Sequence, residues 1–271
     1  MATAAFFLLI AAAHCLAMTL AWLAVLGGAK SGWIDATWSF LVGAAGVAVA
    51  LMPVLGWEGD FQRRLAVAVA AGLWSCRLGV HIAKRTLGGG EDPRYAKLRD
   101  EWGPRWRSRL FIFLQIQAGA AFLLAGTIFL AARNPASGLQ WSDIAGFFIL
   151  IVAVVGEGVA DAQLRWFRSD PAHAGGVCDI GLWSLSRHPN YFFQWLGWTG
   201  YALIAVGPSG MWPWGWAALV GPVFMYWLLV HVSGIPPLEA HMQRSRGPAF
   251  AAYVKRVNAF WPGPQAREIS R

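Results

Sequence analysis

The chain has 271 residues, of which 57% are hydrophobic and only 13% are charged, and its net charge is +8 at pH 7. Soluble domains carry about a quarter charged residues, so this composition excludes an ordinary soluble enzyme and indicates a membrane protein. The positive charge is explained by how Lys and Arg are divided between the two membrane faces, and it gives no support for a nucleic-acid partner.

Seven apolar runs follow one another along the chain, and each is close to the ~20 residues that cross about 30 Å of hydrocarbon. Backbone polar groups have no water to bond in lipid, so each run is predicted to form a helix. The predicted fold is all-α: a polytopic membrane protein of about seven transmembrane helices, in a single domain over residues 1–271, with a cofactor pocket at the cytoplasmic face. The runs cover residues 4–27, 34–56, 65–83, 110–132, 141–164, 190–208 and 213–233.

The basic residues are divided unequally between the two sides of these helices. Of the 22 Lys and Arg, 18 fall in segments on one side, only Arg63, Arg64 and Arg133 fall on the other, and Arg77 lies inside the third run. Lys and Arg near helix ends stay on the cytoplasmic side. Seven helices therefore predict an N-terminus outside and a C-terminus in the cytoplasm. The basic tail is expected to contact anionic lipid.

Residue spacing gives no support for metal sites or a Rossmann fold. Cys15, Cys76 and Cys178 are too widely separated to indicate a disulfide framework or a thiolate zinc site. No two of the six histidines lie three to five residues apart, so no metal is expected. Neither GxGxxG nor a P-loop follows a strand pattern, so any nucleotide is bound in another way.

The first cytoplasmic segment joins the third run to a turn, Gly88-Gly89-Gly90, and then to a mixed-charge stretch. Glycines allow close approach of the backbone, and arginines can bind phosphate with two parallel hydrogen bonds. Arg85 and Arg94 are therefore candidates for a phosphate site. Solvated ion pairs on a surface helix are the alternative.

Four charged residues recur near the end of the fifth run. Glu157, Asp161, Arg165 and Arg168 are spaced by four, four and three residues, which places them on one helical face. Two carboxylates in a membrane helix are costly unless they meet protein or water, so they indicate a functional site. Carboxylates suit ribose hydroxyls, and a ladder of ion pairs is the alternative.

The most informative stretch is residues 186–191, Ser-Arg-His-Pro-Asn-Tyr, directly before an apolar helix predicted over residues 192–206. Gln194 is the only strongly polar side chain in that helix. The cluster is therefore expected where hydrocarbon meets water, where it can bind a charged cofactor while the helix holds an apolar substrate.

The C-terminal tail begins where Pro236 and Pro237 end the seventh run. Residues 249–260 can form a short amphipathic helix, with Lys255 and Arg256 on its polar side. A helix lying on the membrane surface is the alternative to a role in a site.

Four motifs together resemble a bacterial branch of the steroid 5-alpha-reductase-like membrane family. The resemblance covers about residues 35–262 and implies a seven-helix enzyme of the bacterial inner membrane. It also implies reduction by NADPH of the carbon–carbon double bond of a conjugated enone in a steroid-like or isoprenoid lipid. The motifs are Gly-Glu-Asp-x-Arg-Tyr at 90–95, Ala-Asp-x-Gln at 160–163, Gly-Leu-Trp-x-x-Ser-Arg-His-Pro-Asn-Tyr at 181–191 and Ser-Gly-Ile-Pro-x-Leu-Glu at 233–239.

The resemblance implies which residues bind the cofactor. Asp161 and Asn190 match positions that hold the dinucleotide, and Arg168 matches an arginine of the cofactor loop. Glu239 and Tyr253 would close the pocket from the tail. The residues expected to bind NADPH are Arg85, Asp92, Arg94, Tyr95, Asp161, Arg165, Arg168, Arg187, His188, Asn190, Tyr191, Glu239 and Tyr253.

The chain departs from the family on the substrate side. The family has a Tyr on the third helix and a Glu on the second that bind the ketone oxygen. Here the Tyr position is Ile82, and the Glu expected after Asn190 is Gln194. The acid of the second helix has no clear match, although Asp35 lies near the start of that run. Trp38, Ile82 and Gln194 are expected to contact the substrate.

A replacement for the missing pair can be proposed from chemistry. Hydride transfer to an enone builds negative charge on its oxygen, and a donor aimed at that oxygen lowers the barrier by about 3–4 kcal/mol. Arg77 and His81, four residues apart, can share a face with Asp35, and His81 is the expected proton donor. An Asp35–Arg77 pair that neutralises two buried charges is the alternative.

Two other functions stay open. Membrane methyltransferases of the isoprenylcysteine and phospholipid type use S-adenosylmethionine and have a similar Arg-His-Pro-x-Tyr motif, usually with paired glutamates in the tail. Here Glu239 is single and preceded by Leu238, and the many arginines fit the NADPH phosphate better. A lipid-binding protein that has lost catalysis is the third possibility, suggested by Ile82 and Gln194.

Overall fold

A computed structural model describes residues 2–266 of the chain and confirms the predicted all-α fold. The tail arginines Arg267 and Arg271 lie outside this range. The helices are α1 (Thr3–Leu26), α2 (Gly32–Leu51), α3 (Phe61–Gly88), α4 (Pro93–Trp102), α5 (Trp106–Ala132), α6 (Trp141–Ser169), α7 (Pro189–Val206), α8 (Pro213–Ala217), α9 (Val220–Trp227) and α10 (Ile235–Arg256).

The chain forms two compact units. The first contains the residues up to Gly146 together with Tyr201–Gly221. The second contains Phe147–Gly200 together with the chain from Pro222 onward. The first unit is built mainly from α1, α2, α3 and α5, with α2 packed along α3. The prediction of a single domain stays a prediction.

Several helices are long and apolar enough to cross a membrane, so the chain is an integral membrane protein. Within residues 2–266, six helical stretches meet this description by length and composition. They are Thr3–Leu26, Gly32–Leu51, Phe61–Gly88, Pro93–Ala132, Trp141–Ser169 and Pro213–Arg256. The sixth predicted run forms an 18-residue helix, α7, which is not among those six.

The observed helices differ from the predicted runs mainly at their ends. α2 ends at Leu51 rather than at residue 56, because Pro53 disfavours helical backbone in the residue before it. The seventh run is broken into α8, α9 and a π-helical turn, Leu228–Val232. The tail helix begins at Ile235, changes direction at Gly247 where φ is 46°, and ends at Arg256 rather than at residue 260.

Small residues allow α2 and α3 to approach closely. A Cβ added to Gly43 would lie 2.0 Å from the Cβ of Ser75, and one added to Gly79 would lie 2.6 Å from the Phe40 ring. Close approach through small residues is how helices associate where lipid removes the hydrophobic driving force. Gly43 of α2 and Gly79 of α3 therefore set the distance between these two helices.

The three arginines predicted to lie outside are used for structure. Arg63 is fully buried and donates from Nε to the Asp143 carboxylate at 2.8 Å and from Nη1 to the Asn134 and Ala136 carbonyls. Arg133 and Arg64 donate to carbonyl groups at the end of α2. These cations satisfy carbonyls that the helices leave without partners.

The α2–α3 contact predicts opposite effects for two glycine substitutions. Gly43→Ala should lower the melting temperature, because the new methyl group overlaps the backbone-linked Cβ of Ser75. Gly119→Ala in α5 is the matched control, since a Cβ there meets nothing within 4 Å. Alanine favours helix over glycine by up to about 1 kcal/mol, so the control should be neutral or stabilising. Thermal unfolding of detergent-purified protein measures both, and equal stability of the two variants would contradict the packing argument.

Candidate functional site

The first unit contains an acid–phenol pair. Asp35 lies in the first turn of α2, and Tyr95 lies at the start of α4. The Tyr95 hydroxyl donates to Asp35 Oδ1 at 2.8 Å, and the Arg94 guanidinium donates to Asp35 Oδ2. Three residues that the sequence assigned to different roles, one catalytic and two cofactor-binding, therefore meet at one carboxylate.

The phenol is held from a second direction by α5. The Gln117 side-chain amide donates to the Tyr95 hydroxyl at 3.4 Å, and the Trp38 indole N–H donates to the backbone carbonyl of Gln117 at 3.0 Å. Tyr95 is only 7% exposed. The hydroxyl is therefore fixed beside a carboxylate and close to Trp38, a predicted substrate contact.

Asp92 binds the two arginines that were candidates for phosphate. Arg94 donates to it through Nε at 3.1 Å and Nη2 at 2.8 Å, and Arg85 donates at 3.3 Å. Burial favours the neutral acid, but the Arg94 hydrogen bonds and charge outweigh it and hold the pKa of Asp92 below its ordinary value. A phosphate at this place would compete with an existing carboxylate.

The glycine turn lies at the C-terminus of α3 and presents carbonyl groups. Lys30 donates from Nζ to the carbonyls of Thr86, Leu87 and Gly89 at 3.1, 3.3 and 2.6 Å. A helix C-terminus carries partial negative charge, which disfavours an anion. The turn thus serves to join Lys30 to α3, and phosphate binding there is not supported.

The second unit contains an Arg–Glu–His cluster. Arg187 donates to Glu239 from Nε at 2.8 Å and from Nη2 at 3.2 Å, and His188 Nε2 lies 3.0 Å from Glu239 Oε1. Arg187 also donates to the carbonyls of Val254 and Val257 at the end of α10. Glu239 therefore connects the motif before α7 to the tail.

One ring nitrogen of His188 is hydrogen-bonded to Glu239, and the other has no hydrogen-bond partner in the described part of the chain. Its ring stacks on Tyr191 with centroids 5.4 Å apart. Burial lowers the pKa of His188 below its ordinary value, which favours the neutral ring. Nε2 then donates to Glu239, and Nδ1 is a buried acceptor that has no hydrogen-bond partner among residues 2–266.

Tyr253 has a structural contact in the tail. Its hydroxyl donates to the Trp183 carbonyl at 2.5 Å, and its ring packs with Phe250 and Val257. Ser186 Oγ donates to the Phe260 carbonyl at 2.9 Å. These bonds fix the tail against the motif segment, so Tyr253 is placed to position the site and not to donate to a ligand.

The face of α6 that is predicted to bind a nucleotide has two buried and two exposed residues. Glu157 and Asp161 are 4% and 6% exposed, whereas Arg165 and Arg168 are exposed. The Asn190 amide donates to Asp161 Oδ1 at 3.4 Å. The structure therefore brings together Asp161 and Asn190, the two positions matched to the dinucleotide.

The remaining predicted residues lie along their helices. Arg77, His81 and Ile82 are half-buried on α3, and Gln194 is buried on α7. Their expected roles stay predictions.

Sequence reasoning missed Gln117 and Lys30. Gln117 is one of the few polar residues within an apolar run, which was the available signal. Lys30 is one of the 18 basic residues counted on one side of the membrane, and no sequence pattern indicates its contact with residues 86–89.

An apolar groove lies beside the motif segment in the second unit. Its volume is about 440 Å³. The side chains that line it are Leu182, Leu185, Pro189, Phe192, Phe193, Trp195, Trp261 and Pro262.

The chain belongs to the family described as "Protein of unknown function (DUF1295)", which matches residues 21–257 and includes steroid 5-alpha-reductase-like proteins. It is similar to "Uncharacterized protein C594.04c" of Schizosaccharomyces pombe (strain 972 / ATCC 24843), with 27% identity over 238 residues. The match covers 77% of this chain and 66% of that relative, slightly less than two thirds of the relative's own length. No solved structure matches the chain.

The environment of His188 predicts a specific pH dependence. Because its pKa is lower in the folded protein, the unfolded state takes up the proton first as pH falls below the ordinary value of 6.5. The stability of the protein should therefore decrease as the pH is lowered. The stability of His188→Gln, which keeps a donor to Glu239, should decrease less steeply between about pH 7 and pH 5. Melting temperatures across this range measure the effect. The exposed His241→Gln is the control, and an unchanged slope in His188→Gln would contradict the prediction.

Proposed function

We propose that this DUF1295 member is an NADPH-dependent membrane reductase of the carbon–carbon double bond in a conjugated enone of a steroid-like or isoprenoid lipid. The observation that carries the proposal is the buried Tyr95–Asp35 pair, with 2.8 Å between the hydroxyl and the carboxylate. It offers the same two functional groups, a phenol and a carboxyl, that the resemblance associates with the ketone oxygen. The phenol comes from α4 instead of α3.

The pair can act on the charge that develops during reduction. Hydride addition to the β carbon places negative charge on the carbonyl oxygen, and a preorganised donor lowers that barrier by about 3–4 kcal/mol. The Tyr95 O–H is the donor that turns from Asp35 to the substrate oxygen. Arg94 then stabilises the Asp35 carboxylate, and the hydrogen bond from Gln117 holds the Tyr95 side chain in position.

The second unit has groups that fit a nicotinamide dinucleotide, which would supply the hydride when bound. The Asp161 carboxylate and the Asn190 amide suit ribose hydroxyls and a carboxamide. His188 Nδ1 is a buried acceptor without a partner in the described chain, as a ribose O–H would require. The exposed guanidiniums of Arg165 and Arg168 suit phosphate. These features support a cofactor site on this unit.

The proposed orientation has the N-terminus outside and the C-terminus in the cytoplasm of the bacterial inner membrane. The 18 basic residues on one side support it. The three arginines on the other side are not an exception, because Arg63, Arg64 and Arg133 are bound to helix-end and loop carbonyls. Their positions are therefore explained by these hydrogen bonds and not by the preference of basic residues for the cytoplasmic side.

Ligand-induced stabilisation of the detergent-purified chain tests the cofactor. NADPH, NADP, NADH and S-adenosylmethionine are each added at about 100 times a plausible Kd, where roughly 2.7 kcal/mol of stabilisation is expected for a ligand that binds. We expect a shift with NADPH or NADP, and its loss in Asn190→Ala. A shift with S-adenosylmethionine alone would support the methyltransferase instead, and no shift with any ligand would support a non-catalytic lipid-binding protein.

Tyr95→Phe separates chemistry from cofactor binding. The variant should keep the NADPH shift but lose about 10²- to 10³-fold in kcat on an enone lipid, because only the donor to the oxygen is removed. Tyr226→Phe, whose ring packs on Trp261, is the matched control and should keep full activity. Turnover of Tyr95→Phe at the wild-type rate would show that this phenol is not the donor.

A further inference from the structure

Two exposed arginines mark the junction between α4 and the membrane helix α5. Arg105 ends a short 3₁₀ turn, Gly103–Arg105, and Arg109 lies in the first turns of α5. Both side chains are exposed, and no acidic partner pairs with either among residues 2–266. We propose that Arg105 and Arg109 bind the headgroup phosphate of an anionic phospholipid.

The basic residues of α4 are already paired with acids. Lys97 pairs with Glu101 at 3.4 Å, and Arg99 pairs with Glu91 at 3.7 Å. Residues 103–110 contain three arginines and no acid. The surplus positive charge of this part of the chain is therefore concentrated at the junction. Like charges four residues apart on a helix repel each other, and an anion between them removes that cost.

An apolar surface continues from the two arginines along α5. Ile112 follows Arg109 by three residues and Ile116 follows Ile112 by four, so these three side chains fall on one face of α5. Arg105 lies in the turn directly before that helix. The two isoleucines are 59% and 65% exposed. A headgroup at the arginines therefore leaves its acyl chain beside Ile112 and Ile116. This continuity favours a phospholipid over a free phosphate ion. We call Arg105, Arg109, Ile112 and Ile116 the lipid face.

Tryptophans hold the junction in a fixed position. The Arg99 guanidinium lies 4.6 Å from the centre of the half-buried Trp106 ring. The Trp22 indole N–H donates to the Arg107 carbonyl at 2.9 Å. Gly103, with φ of 52°, makes the turn between the two helices. Tryptophan rings of this kind occur at the level of lipid headgroups, so the lipid face begins at that level.

Lipid binding by the full chain in detergent tests the proposal. Phosphatidylglycerol is titrated against phosphatidylcholine, and bound lipid is measured by native mass spectrometry and by the melting temperature. We expect preferential binding of phosphatidylglycerol. Arg105→Gln with Arg109→Gln should weaken it by about 25-fold, or about fivefold for each arginine, and should leave the NADPH shift unchanged.

Three matched variants define the outcomes. Arg244→Gln with Arg246→Gln removes two exposed arginines of the basic tail, which is expected to contact anionic lipid only through its net charge, and should weaken phosphatidylglycerol binding much less than the Arg105/Arg109 variant does. Arg105→Lys with Arg109→Lys keeps the charge and should retain most binding even if glutamine there impairs folding. Ile112→Ser with Ile116→Ser should weaken long-chain but not short-chain phosphatidylglycerol.

Three results would overturn the proposal. The first is wild-type affinity in the Arg105/Arg109 glutamine variant. The second is equal loss of binding in the Arg244/Arg246 variant, which would indicate non-specific attraction to net charge. The third is equal stabilisation by inorganic phosphate or glycerol phosphate, which would show that the arginines bind a soluble anion.

Discussion

Carbonyl groups left without partners at helix ends need donors, and in apolar surroundings water does not supply them. This constraint explains most of the conspicuous polar side chains of the protein. Arg64 and Arg133 donate at the end of α2, Lys30 at the end of α3, Asn134 at the end of α7 and Arg187 at the end of α10. A few side-chain donors thus complete the backbone hydrogen bonding at these helix ends.

The need to pair buried polar groups also decides which charged side chains can contact a ligand. In the first unit, Arg85 and Arg94 bind Asp92, and Arg94 also binds Asp35. In the second unit, Arg187 is shared between Glu239 and backbone carbonyls. A buried charge is tolerated only when it is paired in this way. Arginines with structural partners hold the site in shape, while the exposed Arg105 and Arg109 at the start of α5 have no acidic partner among residues 2–266.

Part of the candidate site could be predicted because its residues lie in short motifs that the resemblance assigns to one pocket. The contact of Arg187 and His188 with Glu239, and of Asn190 with Asp161, joins residues that were assigned to one pocket from their motifs. The Tyr95–Asp35 bond could not be predicted, because 60 residues separate the two and neither lies on a repeating pattern that links them. The expected partners of Asp35 were sought on α3 at helical spacing, whereas the structure supplies Tyr95 from α4.

The sequence by itself determined that the protein is helical and crosses a membrane, because uninterrupted apolar runs leave the backbone no other way to satisfy its hydrogen bonds in lipid. It also determined which short segments between the apolar runs carry enough polar side chains to form a functional site. Only the tertiary structure decided which polar side chains meet. A phenol such as Tyr95 and a carboxylate such as Asp35 pair according to how α2, α4 and α5 pack, and that packing depends on small residues such as Gly43, whose importance comes from the neighbour it faces.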